Sequence, residues 1–236
     1  MSKERLPNSP LAQVACEIRF PGHFAATDGL ARFQSAVEDQ FPTLYVPRVQ
    51  SGEAPALRAA QLVSADESER INVAIHLFSF DSRKYSVFAE YRARFLNLLT
   101  RFFEIHRPRE LTRFGLRYKN VLPWQGASTE QLHPWLTLGF RVPTVMEREV
   151  SHINGTMILR YDHGALRVTL ERQEAEVRAT QEQVADTFVV DLDFFRTGSI
   201  PLEELEGMMD KGHRTIEDVF FALLSQEGLN AMKGTE

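Results

Sequence analysis

Hydrophobic and polar residues alternate along several segments of the chain, and this period of two predicts strands with one buried face. In residues 113–120, Phe114, Leu116 and Tyr118 alternate with three cations and a glycine. That glycine, Gly115, predicts a bulge or the close approach of another backbone. The same alternation covers residues 10–20, 57–64, 70–80, 157–161, 166–170 and 188–194. The polar face of residues 113–120 is therefore a candidate functional surface.

Apolar residues three and four positions apart predict helices between these strands. The predicted helices span residues 27–41 and residues 86–106. Further helices are predicted from about residue 201 onward, with Gly207 and Gly212 weakening the middle of this region and a last helix after it. Pro42 and Pro108 end the first two, because proline lacks a backbone donor and clashes with the preceding turn. The first half thus has the order β-α-β-β-α-β, which is the order of a ferredoxin-like split unit.

The second half of the chain has the order helix, strand, hairpin, strand, helix, which echoes the first. We therefore predict an α+β fold with a mainly antiparallel sheet, helices packed on one face, and two related ferredoxin-like halves. The halves are residues 1–123 and 124–236. No low-complexity linker separates them, so we expect one compact unit.

Composition and cysteine usage indicate a globular protein of a reducing compartment. The 236 residues are 43% hydrophobic, which is enough to bury a core without disulfides or metals. Cys16 is the single cysteine, and it alternates with Ile18 and Phe20, so we expect a buried, inert thiol. The N-terminal residues lack the apolar core of a signal peptide, and no run approaches the roughly 18 apolar residues of a membrane span. We expect a cytoplasmic protein without a membrane partner.

Charge is unevenly distributed along the chain. The formal net charge is -5, yet residues 83–119 hold ten lysines and arginines against three acids. This local balance of +7 leaves -12 for the rest of the chain, and we call residues 83–119 the basic segment. One interpretation is a solvated surface whose cations pair with the acidic remainder. The other is a footprint for an anionic partner, nucleic acid included, presented by exposed helix positions such as Arg94 and Arg101.

Two carboxylates occupy one face of the strand predicted at residues 188–194. Asp191 and Asp193 lie about 7 Å apart by strand rise, a spacing compatible with a shared Mg²⁺. The same spacing also suits a cross-strand ladder of ion pairs, in which the cations would be Arg117, Lys119, Arg167 or Arg19. The sequence contains no third acid in a companion motif, no histidine or cysteine pattern for a metal, no nucleophile elbow and no phosphate-binding glycine loop. We therefore predict no metal and no cofactor.

Three further polar residues have both a structural and a functional interpretation. Tyr118 shares a face with Phe114 and Leu116, so it either packs in the core or stacks on a ligand. Asn120 lies near the predicted end of the strand, where it either caps a turn or joins a site. His213 precedes the last predicted helix and either caps it or belongs to a polar site.

Two stretches of the chain resemble a family of sporadically distributed bacterial proteins of similar length. They are Asn8-Ser9-Pro10-Leu11 with Cys16-Glu17-Ile18-Arg19-Phe20, and Arg113-x-Gly115-Leu116-Arg117-Tyr118-x-Asn120. The family also tends to show an Asp-x-Asp strand and a histidine before a Phe-rich C-terminal helix, which here correspond to Asp191-Leu192-Asp193, His213 and Phe220. The resemblance implies no catalytic role. It implies an accessory gene, with mobile or defence-related loci as its setting.

These observations predict a non-enzymatic cytoplasmic binding or regulatory protein that acts through a basic surface on a protein or an anionic ligand. The alternatives are a metal-dependent nucleotide or phosphoester enzyme that uses Asp191 and Asp193, and a direct nucleic-acid binder. Assembly with a second copy of the chain is compatible with each of them. The candidate binding residues are Arg19, Arg94, Arg101, Arg113, Arg117, Tyr118, Asn120, Asp191 and Asp193.

Overall fold

The computed structural model describes residues 6–22, 25–46, 59–104, 107–126, 132–139, 152–173 and 186–234. Within these ranges the fold is α+β, with nine strands in one sheet and four α-helices. In chain order the elements are β1 (Leu11–Arg19), α1 (Ala25–Val37), β2 (Thr43–Tyr45), β3 (Ala60–Val63), β4 (Glu69–Ala74), β5 (Leu77–Ser82), α2 (Phe88–Phe103), β6 (Leu111–Pro123), β7 (Asn154–Tyr161), β8 (Gly164–Gln173), β9 (Thr187–Ile200), a 3-10 helix (Leu202–Glu204), α3 (Leu205–Leu223) and α4 (Gln226–Lys233).

The strand order across the sheet is β2-β3-β4-β5-β1-β6-β9-β8-β7, and every neighbouring pair is antiparallel. Within it, β6-β1-β5-β4 with α1 and α2 as crossovers is the ferredoxin-like arrangement predicted for the first half. The predicted strand at residues 70–80 is wrong in one respect. It is not one continuous strand but a hairpin of β4 and β5 that turns at Ile75 and His76. The predicted ends at residues 57–58 and 105–106 lie outside the described residues.

The second half extends the same sheet. β7, β8 and β9 follow one another as a meander, and the predicted hairpin at residues 157–170 is present between β7 and β8. β9 then pairs with β6 over nearly its whole length, from Ile200 opposite Leu111 to Thr187 opposite Pro123. α3 begins at Leu205, so His213 lies inside this helix and does not precede it.

One face of the sheet is apolar and covered by helices, as predicted. Register aligns a buried row across six strands that consists of Leu62, Ile71, Phe80, Cys16, Leu116 and Phe194. α1 and α2 pack above this face through aromatic contacts, with Phe33 and Phe95 both about 6 Å from Phe78. α3 approaches more closely at Gly212, where an added Cβ would lie 2.8 Å from the Phe194 ring.

The opposite face of the sheet is polar, and α1, α2 and α3 leave it open. Register aligns a second row on this face, which runs Arg70, Asp81, Ala15, Arg117, Asp193 and Arg167. The sheet thus separates an apolar layer from a charged surface. None of the described helices is both long and apolar enough to cross a membrane.

Candidate functional site

Strand β6 contributes side chains to two different candidate sites, one on each face of the sheet. Arg113 and Arg117 point to the open face, whereas Tyr118 and Asn120 point to the face covered by helices. The predicted site residues are therefore divided by the sheet, and they do not form a single surface.

The site on the open face is a groove of about 270 Å³. We call it the charged groove, and its walls are formed by Ala15, Glu17, Arg19, Asn72, Ser79, Asp81, Arg113, Gly115, Arg117 and Asp193. Arg113 is its central cation. Its Nη1 donates to Glu17 Oε1 at 2.6 Å, and its Nη2 lies 3.6 Å from Asp193 Oδ2. The groove is thus crossed by an arginine that joins two acids.

The predicted ladder of ion pairs is present beside this groove. Arg117 opposes Asp193 in register, but its Nε donates diagonally to Asp191 Oδ1 at 2.8 Å. Arg167 Nη1 lies 3.4 Å from Asp193 Oδ2. The carboxylates of Asp191 and Asp193 therefore both form ion pairs with arginines, which favours the ladder over a shared metal ion.

Gly115 has a role that the sequence pattern did not predict. A Cβ built on Gly115 would lie only 2.7 Å from Nη1 of Arg113, a side chain two residues earlier on the same strand. The pairing of β6 with β1 and β9 continues in register through Gly115, so there is no bulge at this position. The expected approach of another backbone is therefore wrong, because the group that approaches is the Arg113 guanidinium.

Two acids of the charged groove have raised pKa values. Burial raises the pKa of Asp193, although Arg113 and Arg167 act in the opposite direction. Burial also raises the pKa of Asp81, which accepts a hydrogen bond from Asn72 Nδ2 at 3.2 Å. The groove therefore holds partly desolvated carboxylates among its cations, and the surface is not simply basic.

The cations of the basic segment on α2 are held by the protein itself. Arg94 donates to Gln40 Oε1 and Glu69 Oε2 at 2.5 and 2.9 Å, and its guanidinium lies 5.5 Å from the Phe41 ring centre. Arg101 donates to the carbonyl oxygen of Ala36 at 2.8 Å. Neither residue lines the charged groove. Arg19, by contrast, lines this groove and pairs with Glu17 at 2.8 Å.

The site on the covered face is a cavity of about 520 Å³ between the N-terminal segment, the start of α2, strand β6 and α3. We call it the tyrosine cavity, and its walls are formed by Leu6, Pro7, Ser9, Leu11, Tyr85, Ser86, Val87, Phe88, Tyr118, Asn120, His213, Ile216, Glu217, Phe220 and Phe221. Tyr118, Asn120 and Ile216 are buried and form the floor. Pro7, Ser9 and Val87 are exposed and form the rim.

A line of hydrogen bonds crosses the tyrosine cavity. The hydroxyl oxygens of Tyr85 and Tyr118 lie 3.3 Å apart, and the Tyr118 hydroxyl lies 3.0 Å from Nδ1 of His213. The His213 ring stacks on Phe88 with ring centres 4.0 Å apart. Because a hydroxyl both donates and accepts, this line can run in either direction.

Burial keeps both phenols protonated. It raises the pKa of Tyr118 well above its ordinary value, and the neighbouring Tyr85 and the Glu217 carboxylate raise it further. Burial also raises the pKa of Tyr85, again with a contribution from Glu217. The negative charge of Glu217 therefore acts on both tyrosine hydroxyl groups that line the cavity.

Two acceptors in the cavity wall have no partner among the residues that the structure describes. Asn120 donates its Nδ2 to the carbonyl oxygen of Val190 at 3.2 Å, which leaves its Oδ1 without a described donor. Glu217 lies four residues after His213 on α3, lines the cavity, and has no hydrogen bond or ion pair with the described residues. Asn120 is thus a buried residue inside β6 that lines the cavity, and it is not a turn cap.

The C-terminal helix fixes the N-terminal wall of the cavity. The backbone N–H of Asn8 donates to the carbonyl oxygen of Met232 at 3.0 Å, and its Nδ2 donates to that of Ala231 at 3.1 Å. Ser9 and Leu11 follow directly and line the cavity. The first described segment is therefore held in place by α4.

Twelve residues of the motifs quoted in the sequence line these two sites, whereas others, such as Cys16 and Leu116, lie in the core. Those of the tyrosine cavity are Ser9, Leu11, Tyr118, Asn120, His213 and Phe220. Those of the charged groove are Glu17, Arg19, Arg113, Gly115, Arg117 and Asp193. Tyr85, Phe88 and Glu217 also line the cavity, although no sequence pattern marked them as site residues. Of these, Glu217 could have been inferred from the sequence, because it follows His213 by four residues and therefore lies on the same face of a helix.

In the part of the chain that the structure describes, no group of three histidine, cysteine, aspartate or glutamate side chains is placed to hold a metal ion. No protein-family model matches the sequence, and no curated protein matches it either.

Proposed function

We propose that this chain is a non-enzymatic cytoplasmic binding protein that holds a small organic ligand in the tyrosine cavity. The supporting observation is a cavity of about 520 Å³ that is lined by the hydrogen-bonded side chains of Tyr85, Tyr118 and His213. Binding sites for small molecules have volumes of about 300–1,000 Å³ and combine apolar walls with a few convergent polar groups. Leu6, Leu11 and Ile216 supply apolar wall here.

The contacts within the cavity favour binding over chemical conversion. The raised pKa values of Tyr85 and Tyr118 oppose a role for either phenol as a base. Ser86 donates to Glu90, and Ser9 accepts from the N–H of Leu11. Neither hydroxyl has a hydrogen bond with a histidine among the described residues. A nucleophile in an enzyme normally lies beside such a base.

A regulatory role through the basic segment remains part of the proposal, but it receives less support. Arg94, Arg113 and Arg117 are held by acids of the same chain, which reduces the charge that a nucleic acid or an acidic protein would meet. The resemblance to a sporadically distributed family supports an accessory role for the protein, with defence-related loci as one setting.

A fragment screen tests this proposal. Ligand-observed NMR would be used to measure binding of a library of small organic compounds to the wild-type protein and to Val87→Trp. Val87 lies on the rim, is 39% exposed and precedes α2 without a side-chain cap bond, so the larger ring should close the cavity and preserve the fold. Val46→Trp is the matched control, because Val46 is 69% exposed and lies outside the cavity.

We expect fragments that bind the wild-type protein and the Val46→Trp variant but not Val87→Trp. Each should be recovered chemically unchanged after incubation. Absence of wild-type binding, or binding that Val87→Trp does not affect, would contradict the location of the site. Conversion of a bound fragment into a product would contradict the non-enzymatic role.

A further inference from the structure

We infer that the ligand of the tyrosine cavity is an organic cation, an amine or ammonium group carried on an apolar body. This inference rests on the proposed function and adds the chemical class of the ligand. It also departs from the anionic ligand that the basic segment suggests, because the wall of the cavity has the opposite electrostatic character.

Formal charge is the first argument. Among the described residues that line the cavity there is no lysine, no arginine and no aspartate, and Glu217 is the single carboxylate. An anionic ligand would therefore meet a negative charge that no lysine or arginine of the described wall offsets. A cationic group would instead pair with a half-buried carboxylate, and ion pairs strengthen when solvent is displaced.

Hydrogen-bonding capacity gives the second argument. The Glu217 carboxylate and Asn120 Oδ1 are acceptors only, and neither has a partner among the described residues. The amide nitrogen of Asn120 is already occupied by the Val190 carbonyl. A ligand that forms hydrogen bonds with both of these acceptors must carry N–H or O–H donors, and an ammonium group carries three.

The aromatic rings of the wall supply the third argument. Tyr85, Phe88, Tyr118, Phe220 and Phe221 all line the cavity, and the Tyr85 and Tyr118 rings meet edge to face at 5.6 Å. The face of an aromatic ring attracts a cation through its quadrupole, and desolvation strengthens this attraction. Several rings around one carboxylate form the kind of environment that binds ammonium groups.

The tyrosine hydroxyls lie in the negative electrostatic potential of the Glu217 carboxylate. The Glu217 carboxylate raises the pKa of both Tyr85 and Tyr118, although burial is the larger cause for each. A cation placed near these hydroxyls would relieve this negative potential. The apolar side chains of Leu6, Leu11 and Ile216 would contact the body of the ligand.

Three probes of nearly equal size and different charge test the inference. They are phenethylamine, 2-phenylethanol and phenylacetate, and isothermal titration calorimetry would measure the affinity of each. We expect the wild-type protein to bind the amine about tenfold or more tightly than the alcohol, with the carboxylate weakest. Glu217→Gln should reduce the affinity for the amine by about tenfold to a hundredfold, because it removes a charge-assisted bond. It should leave the alcohol nearly unaffected.

Glu227→Gln is the matched control, since Glu227 is exposed at the start of α4 and lies outside the cavity. The comparison of the three probes on the wild-type protein does not depend on the folding of any variant. Stronger binding of the alcohol or the carboxylate, abolished by Val87→Trp, would overturn the cationic ligand and leave the proposed function intact. If none of the three probes binds but library fragments bind the cavity, the cationic ligand is likewise overturned and the proposed function stands. If no fragment binds either, the proposed function fails with it.

Discussion

The guanidinium of Arg113 lies over Gly115 and occupies the space that a side chain would take at this position. From there it contacts Glu17 on β1 and Asp193 on β9, which are the two strands that flank β6. Arg113 therefore ties three central strands together on the open face. The glycine is needed for this contact and not for an unusual backbone angle.

Gly115→Ala should displace this guanidinium and lower the free energy of unfolding by about 1 kcal/mol. In an Arg113→Ala background the same change should instead stabilise the protein by about 0.5–1 kcal/mol, because alanine is preferred to glycine within a strand. Urea denaturation of the four proteins measures this coupling. An equal effect of Gly115→Ala in both backgrounds would show that Arg113 does not depend on the space above Gly115.

Arg94 is expected to contribute to stability, although its position in the basic segment suggested a free cation. Its contacts with Gln40, Glu69 and Phe41 join α2 to β4 and to the segment that follows α1. Arg94→Gln should lower the free energy of unfolding by about 1 kcal/mol, a value kept modest because the side chain is 34% exposed.

Arg101→Gln is the control for this comparison, since the described contact of Arg101 is with one backbone carbonyl. We expect it to change the stability by no more than about 0.5 kcal/mol. Equal thermal midpoints for the two variants would argue against a structural role for Arg94. Whether either arginine contacts a partner stays a prediction, to be measured as capture of an anionic partner by the same two variants.

Cys16 should react slowly with thiol reagents in the native protein. Its side chain is fully buried in β1, and burial raises the pKa of the thiol well above its ordinary value, with Glu17 and Asp81 acting in the same direction. The thiolate is the reactive form, so labelling requires opening of a central strand. We expect native labelling to be more than about a hundredfold slower than labelling of the unfolded chain. A similar rate in both states would contradict the burial of Cys16.

His133 should make stability sensitive to mild acid. Its ring is fully buried, Nε2 lies 2.8 Å from the Pro123 carbonyl oxygen, and Nδ1 accepts from the N–H of Trp135 at 3.1 Å. Nε2 must therefore donate, and the ring is neutral. Burial lowers its pKa in the folded state, so the stability that it contributes is present above the unfolded value of about 6.5 and is lost as the pH falls below it.

Unfolding measurements between about pH 7 and pH 5 test this expectation. The wild-type protein should lose about 1 kcal/mol over this interval through His133, and His133→Gln should flatten the dependence while lowering stability at neutral pH. His152→Gln should keep the wild-type slope, because His152 is exposed. A slope unchanged by His133→Gln would assign the acid sensitivity to other groups.

The alternation of apolar residues predicted most of the sheet because it directly reports burial on one side. It placed Cys16, Leu116 and Phe194 on the covered face, where the structure has them. It failed at the hairpin of β4 and β5, since the turn residues Ile75 and His76 carry no glycine or proline to mark the break.

Periodicity assigned residues to faces of the sheet but could not identify what they meet. Tyr118 was correctly placed opposite the cations of β6, yet its partners Tyr85 and His213 lie in the segment before α2 and in α3. These contacts span 33 and 95 positions of the chain. The same limit explains Arg94, whose partners Gln40 and Glu69 could not be inferred from the helix alone.

The attachment of Asn8 to Ala231 has a kinetic consequence. These residues are separated by 223 positions, and contacts of such separation form late because a long loop must close before they contribute. The N-terminal wall of the tyrosine cavity should consequently be completed only after the sheet and α4 are in place. Folding intermediates and truncated chains without α4 would lack this wall, so ligand binding in the cavity would report that the N-terminal segment and α4 have come together.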